Sequence, residues 1–204
     1  MITIVDYGLG NIQAFLNVYH RLNIEARRAS SAADLKGASK VILPGVGAFD
    51  HAMQRLAESG MRETLEELAL GVRVPVLGVC VGMQILARSS EEGELPGLGW
   101  IEGRVRGFRT EESFGDLPLP HMGWNDVQRV AGNRLFSQLG SNARFYFLHS
   151  YYVECDRIED MAAVSTYGIE FCCAVSAGNI HGVQFHPEKS HRDGTRLLKN
   201  FAEL

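Results

Sequence analysis

The sequence has 204 residues, 46% hydrophobic and 22% charged. That balance excludes intrinsic disorder and suits one domain with a sizeable core. Twenty Lys and Arg against 24 Asp and Glu leave a net charge of −4, which offers no electrostatic footprint for nucleic acid or an anionic membrane. The cysteines, Cys80, Cys155, Cys172 and Cys173, form no C-x-x-C pair, so neither a structural zinc site nor a thioredoxin-like motif is expected. No cofactor is predicted.

The elements follow in chain order. Ile2 to Val5 is a short β-branched apolar run and reads as a strand. Only Met1 precedes it, with no basic segment, so no leader is expected. No apolar run approaches the ~18–20 residues of a membrane span, and a cytoplasmic protein with free thiols is expected. Asp6-Tyr7-Gly8-Leu9-Gly10 is a turn, after which Ile12, Phe15, Leu16, Tyr19 and Leu22 recur at helical spacing. Val41-Ile42-Leu43 reads as the second strand, stopped by Pro44-Gly45, and a helix follows with Met53, Leu56, Leu65 and Leu68. Val74 to Val79 is the third strand, running into Cys80 and a helix through Met83, Ile85 and Leu86.

Apolar runs without polar alternation suit strands buried on both faces, and their alternation with helices predicts a parallel sheet flanked by helices. After residue 90 the pattern changes. Glu91 to Pro120 is rich in Gly, Pro and charge, with Trp100-Ile101-Glu102 and Gly103-Arg104-Val105 reading as short antiparallel strands. Strands return at Phe145 to Leu148, Phe171 to Val175 and Ile180 to Phe185, and Leu197, Leu198, Phe201 and Leu204 mark a last helix. With no linker or repeat, residues 1–204 read as a single domain.

Gly78-Val79-Cys80-Val81-Gly82 is the most informative local signal. Glycines two residues either side of a nucleophile permit a tight strand-to-helix turn and leave room for substrate. The following helix turns its N–H groups toward the sulfur and favours the thiolate. The alternative is a buried cysteine that ends a strand. His186-Pro187-Glu188 supplies a base. Proline favours extended chain at His186, and side chains at i and i+2 then share a side, so Glu188 is placed to orient the imidazole. The rivals are a surface turn and a metal site of His181, His186 and His191, whose five-residue spacing does not fit one face of a helix or strand.

Pro44-Gly45-Val46-Gly47 reads either as a strand-ending turn or as a source of backbone N–H donors for an oxyanion. Gly8-Leu9-Gly10 fails as a dinucleotide fingerprint because Gln13 occupies the sixth position. His121-Met122-Gly123-Trp124-Asn125 reads as a loop whose Trp124 packs on its own domain or anchors an interface. In the run Phe145-Tyr146-Phe147-Leu148-His149-Ser150-Tyr151-Tyr152, His149 reads as a hydrogen-bonded structural histidine at a strand end.

Taken together and in order, these motifs resemble the class I (triad) glutamine amidotransferases. More closely, they are similar to the glutaminase subunits that serve imidazole glycerol phosphate synthase. The resemblance is carried by PGVGAF (44–49), GVCVGMQ (78–84), PHMGWN (120–125), YFLHSYY (146–152) and GVQFHPEKS (182–190), and spans nearly the whole chain.

It implies a flavodoxin-like, three-layer α/β fold, with a mostly parallel central sheet and a small antiparallel addition. It implies Cys80 as nucleophile, His186 as general base and acid, and Glu188 as its orienter. Val81 N–H, with Gly45 and Val46 after a peptide flip, would hold the oxyanion. Gln84, His149, Ser150 and Tyr151 would hold glutamine, and Met122, Trp124, Asn125 and Tyr146 would face a cyclase or synthase partner in a heterodimer. That partner would use the ammonia for histidine biosynthesis. A paralogous branch feeding amidotransferases of bacterial surface sugars is the alternative, and a catalytically silent binding subunit or a cysteine peptidase-like protein on the same fold are the others. Val81 departs from the Leu of many relatives but keeps the backbone donor.

Overall fold

The computed structural model describes residues 1–130 and 132–204. The first half alternates strand and helix: β1 (Ile2–Val5), α1 (Ile12–Arg21), β2 (Ala26–Ala29), α2 (Ala32–Leu35), β3 (Lys40–Gly45), α3 (Phe49–Glu58), α4 (Arg62–Glu66), β4 (Val76–Cys80) and α5 (Val81–Gln84). The second half is mostly strand: β5 (Gly103–Gly107), β6 (His121–Asp126), β7 (Gln128–Arg129), β8 (Arg144–His149), β9 (Tyr151–Cys155), β10 (Met161–Tyr167), β11 (Ile169–Ala177) and β12 (Ile180–Val183), closed by α6 (His191–Glu203).

Eight strands form the main sheet in the order β2-β1-β3-β4-β12-β11-β10-β7. Those from β2 to β12 run parallel, while β11, β10 and β7 are antiparallel. The parallel part starts 2-1-3-4, the flavodoxin-like order, in which ligands bind beyond the carboxyl ends of the strands. Two ribbons flank it, β5 with β9 and β6 with β8. The parallel strands β1, β4 and β12 are buried along their whole length, as expected with both faces covered. Helix α1 packs on α6, α2 on α4 and α3 on α5, and the Tyr19 hydroxyl donates to the Leu198 carbonyl at 3.1 Å. No helix among the described residues is long and apolar enough to cross a membrane.

The structure corrects several local expectations. Strand β2 carries Arg27 and Arg28, has β1 as its one neighbour and lies at the sheet edge, where polar residues belong; its sequence shows no apolar run. Strand β3 continues through Pro44-Gly45 instead of stopping there. Its pairing with β1 ends at Ile42, so Pro44 has a single neighbouring strand and the missing donor is tolerated. The helix after Cys80 is one turn long. Ile85 and Leu86 are buried because the chain doubles back over them, with Leu98 N–H on the Ile85 carbonyl and Trp100 N–H on that of Leu86.

Trp100-Ile101-Glu102 is not a strand; only the Gly103 run pairs, with β9. The His121–Asn125 segment is a strand and not a loop. Its large apolar residues Met122 and Trp124 point outward while His121 is buried, the reverse of the usual pattern.

Candidate active site

The carboxyl ends of β3, β4 and β12 meet at one place. Cys80 closes β4 with φ 56° and ψ −116°, a left-handed backbone that costs a non-glycine residue about 1–3 kcal/mol. The neighbouring glycines make this turn possible. A methyl group on Gly78 would lie 2.5 Å from the Gly82 carbonyl oxygen, and one on Gly82 would strike the Leu43 carbonyl. One on Gly45 would lie 2.5 Å from the Gly82 nitrogen. The elbow therefore sits backbone against backbone on β3.

His186 lies just beyond β12, with its own N–H on the Tyr146 carbonyl and the Ser190 hydroxyl on its carbonyl. Its Nδ1 is 2.9 Å from Glu188 Oε1, and both side chains are buried. Glu188 reaches it from a 3-10 turn started by Pro187. Burial pushes the imidazolium toward losing its proton, but hydrogen bonds and charge from Cys80 and Glu188 outweigh it and hold the pKa up at about 9. A buried thiol, an imidazole on the same cavity and a carboxylate behind the imidazole have the arrangement that a nucleophile, a base and its orienter require.

The set opens on a cavity of about 270 Å³, lined by Val46, Gly47, Cys80, Val81, Gln84, Glu92, Pro120, Leu148, His149, Ser150, Tyr151, His186 and Lys189. The match to known proteins agrees with this geometry: the family model "Glutamine amidotransferase class-I" covers residues 3–204. The chain belongs to the class I glutamine amidotransferases. The chain is 61% identical, over the full length of both, to a Bdellovibrio bacteriovorus protein named imidazole glycerol phosphate synthase subunit HisH. A Leptospira borgpetersenii protein of the same name is 52% identical, again over the full length of both. A crystal structure described as a glutamine amidotransferase shares the fold with a TM-score of 0.76 at 20% identity, covering 99% of this chain and 97% of that one.

Within this amidotransferase the predicted residues divide by position. Cys80, His186 and Glu188 come together, and Val46, Val81, Gln84, His149, Ser150 and Tyr151 border the cavity or the nucleophile. Gly45 lies beneath, packed on Gly82. Gln84 donates through Nε2 to the Tyr151 carbonyl at 3.2 Å and to Gln184 Oε1 at 3.0 Å, so its own carbonyl oxygen is the atom left for a ligand. Met122 and Trp124 are 66% and 41% exposed on the outer face of β6, and Trp124 stands opposite Tyr146 in the ladder. Asn125 turns its amide inward to the Thr166 carbonyl at 2.8 Å.

Three site residues were not read from the sequence. Glu92 accepts the Phe49 N–H at 2.8 Å, and burial pushes its pKa up; it lies in the aperiodic charged stretch, where nothing marks it. Lys189, with its Nζ 5.7 Å from the centre of the Tyr146 ring, directly follows the His-Pro-Glu run. Gln184 donates to Cys80 Sγ at 3.8 Å; its place two residues before His186 was the available signal. His181 bonds the Ser176 hydroxyl and His191 stacks on Trp124, so His181, His186 and His191 occupy three separate environments. Among the described residues no three His, Cys, Asp or Glu side chains come together as metal ligands.

Proposed function

We propose that this chain hydrolyses glutamine through Cys80, His186 and Glu188 and delivers the ammonia to the cyclase subunit of imidazole glycerol phosphate synthase, in the cytoplasm. The observation that carries the chemistry is the buried His186, its Nδ1 2.9 Å from Glu188 Oε1, on the same cavity as Cys80.

His186 enters the reaction protonated, its pKa held up at about 9. The Cys80 thiolate adds to the side-chain amide carbon of glutamine, and the oxyanion is received by the Val81 N–H and, after a peptide flip, by the Gly45-Val46 peptide at the end of β3. His186 gives its proton to the leaving nitrogen, ammonia departs, and a thioester remains. His186, now neutral, takes a proton from water, whose oxygen attacks the thioester. Collapse releases glutamate, and the proton returns the pair to its resting form. Glu188 keeps Nδ1 of His186 engaged so that the other ring nitrogen faces the sulfur. Glu92 is the acceptor for the α-ammonium group of glutamine, and the His149-Ser150-Tyr151 wall closes the other side.

The choice of partner is supported by the full-length relatives at 61% and 52% identity. It is also supported by the exposed apolar residues Val46, Met122, Trp124 and Leu148, carried on the oxyanion strand's end and the β6–β8 ribbon.

The test is glutamate release from glutamine by the chain alone and after addition of the cyclase subunit with its nucleotide ligand. Stimulation on complex formation, lost in Cys80→Ala, is the expected result. A folded chain that forms no complex and shows no stimulation would point to the surface-sugar branch instead.

A further inference from the structure

Two buried histidines face each other across the β6–β8 ladder. His121 Nδ1 lies 2.9 Å from His149 Nε2, and the two residues are directly paired. Such a contact holds only if one ring gives a proton and the other receives it. The backbone decides which. His149 Nδ1 is 2.8 Å from the Tyr151 carbonyl oxygen. A carbonyl only accepts, so Nδ1 of His149 carries the proton and its Nε2 accepts. His121 therefore donates from Nδ1, and its Nε2 accepts from Asn125 Nδ2 at 3.2 Å. The Asn125 amide has its orientation set independently, since Nδ2 donates to the Thr166 carbonyl and Oδ1 accepts the Asp126 N–H, each at 2.8 Å.

Burial pushes the pKa of His149 down to about 3 and that of His121 down to about 4, so each ring keeps a single proton at neutral pH. At the cavity end the Tyr151 carbonyl also receives Gln84 Nε2, which reaches Gln184, which in turn reaches the Cys80 sulfur. One continuous set of hydrogen bonds thus runs from the exposed ribbon to the nucleophile.

We propose that His121 is a positioning residue for the glutamine cavity: it locks His149 in the Nδ1–H tautomer and thereby holds the Tyr151 carbonyl and the Gln84 amide in register with Cys80. The effect on glutamine rests on the function proposed above, whereas the tautomers do not. The competing role is packing. The His121 ring stacks on Tyr167 with centroids 4.1 Å apart and on Phe147 at 4.9 Å, and nothing in those contacts needs a nitrogen.

Two substitutions separate the roles because they rank in opposite orders. His121→Phe keeps an aromatic ring for the stack but leaves His149 Nε2 and the Asn125 donor without their partner. His121→Asn loses the stack but presents an amide donor near the position of Nδ1. In the complex with the cyclase subunit, His121→Phe is expected to raise KM for glutamine about tenfold, the scale of a buried polar group left unpaired. His121→Asn is expected to stay within about threefold, while kcat changes little in either and thermal stability ranks Phe above Asn. A KM order that follows stability instead would overturn the proposal.

The native chain supplies a second reading that needs no variant. In [15N]histidine-labelled protein, two-bond proton–nitrogen correlation spectra should place both rings in the Nδ1–H form from pH 5.5 to 8. An Nε2–H form or titration near neutrality at either ring would overturn the proposal. If wild type failed to hydrolyse glutamine while both tautomers stood as stated, the function proposed above would fall, and the cavity role of His121 with it.

Discussion

The cavity has a floor and a wall, and they are built on opposite principles. The floor is the end of β3, β4 and α5, where Gly45, Gly78 and Gly82 bring backbones into direct contact and leave no room for a methyl group. The wall is the β6–β8 ribbon, whose His121 and His149 bond each other and the Tyr151 carbonyl, which Gln84 and Gln184 tie to the floor by side-chain hydrogen bonds. The same division separates two kinds of buried histidine. The pKa of His186 on the floor side is held up by its contacts with Cys80 and Glu188, whereas burial pushes those of His121 and His149 in the wall down. The floor fixes a reactive geometry, and the wall carries both the pocket lining and the exposed apolar surface.

The largest effect is expected from removing the chemistry while leaving both parts standing. Cys80→Ala should lower glutamine-dependent synthesis by the partner complex at least ~10⁴-fold, the scale of losing a covalent nucleophile, while synthesis from added ammonia stays near wild type. Comparing the two nitrogen sources in one assay checks this; parallel loss of both would mean that the floor supports more than the ammonia source.

Next in size is a change to the floor itself. Gly82→Ala drives a methyl group against the Leu43 carbonyl and within 3.1 Å of the Pro44 carbonyl carbon. Backbone atoms cannot turn aside as a flexible side chain does, so a loss of about 3 kcal/mol is expected, with glutaminase activity lost as the elbow shifts. Denaturant unfolding followed by tryptophan fluorescence measures it. A stable, active Gly82→Ala protein would show that the floor is not rigid and would erase the contrast with the wall.

The two parts were unequally legible in the sequence, for reasons seen in particular residues. The parallel strands are continuous apolar runs, and Ile2–Val5, Val41–Leu43 and the strand into Cys80 announce themselves. Even there the one-turn α5 reads as a longer helix, because Ile85 and Leu86 are buried by a chain reversal and not by helical periodicity. In the wall β8 shows itself at Phe145 to Leu148, but β6 hides because it alternates the wrong way. A polar His121 inside and an apolar Trp124 outside match no template for a half-buried strand. The placement of Cys80, His186 and Glu188 was legible because their local motifs carry a chemical pattern, whereas Glu92 reaches the cavity only through tertiary folding of an aperiodic stretch.

The histidine contrast predicts a stability profile with two limbs. The folded pKa of His186 is raised from 6.5 to about 9, so the folded state keeps a proton that the unfolded chain releases. That contribution is complete below pH 6.5 and lost as pH rises through 9. His121, His149 and His181 are lowered from 6.5 to about 4, 3 and 4 respectively. There the unfolded chain takes up protons that the folded state refuses, so stability falls as pH drops from 6.5 toward 4. Denaturant midpoints across this range should peak near pH 6.5. His186→Asn should flatten the alkaline limb and keep the acid one; an alkaline limb that survived it would assign that proton elsewhere.

The smallest effect tests the outward face of the wall. Trp124 is 41% exposed, stacks on His191 with centroids 5.1 Å apart at 8°, and meets Tyr146 edge-on at 6.2 Å. A large ring held in place by two neighbours is already ordered, so a partner covering it gains area without losing much side-chain freedom. Exposed aromatic anchors of this kind commonly carry 1–2 kcal/mol or more of an interface. Trp124→Ala is therefore expected to raise the dissociation constant for the cyclase subunit about tenfold. Glutamine hydrolysis by the saturated complex should fall less than that, since Trp124 does not line the cavity. Titration calorimetry gives the affinity and a coupled glutamate assay at saturating partner gives the rate. Unchanged affinity with a lowered saturated rate would move Trp124 from holding the partner to shaping the wall, where His121 and Asn125 already act.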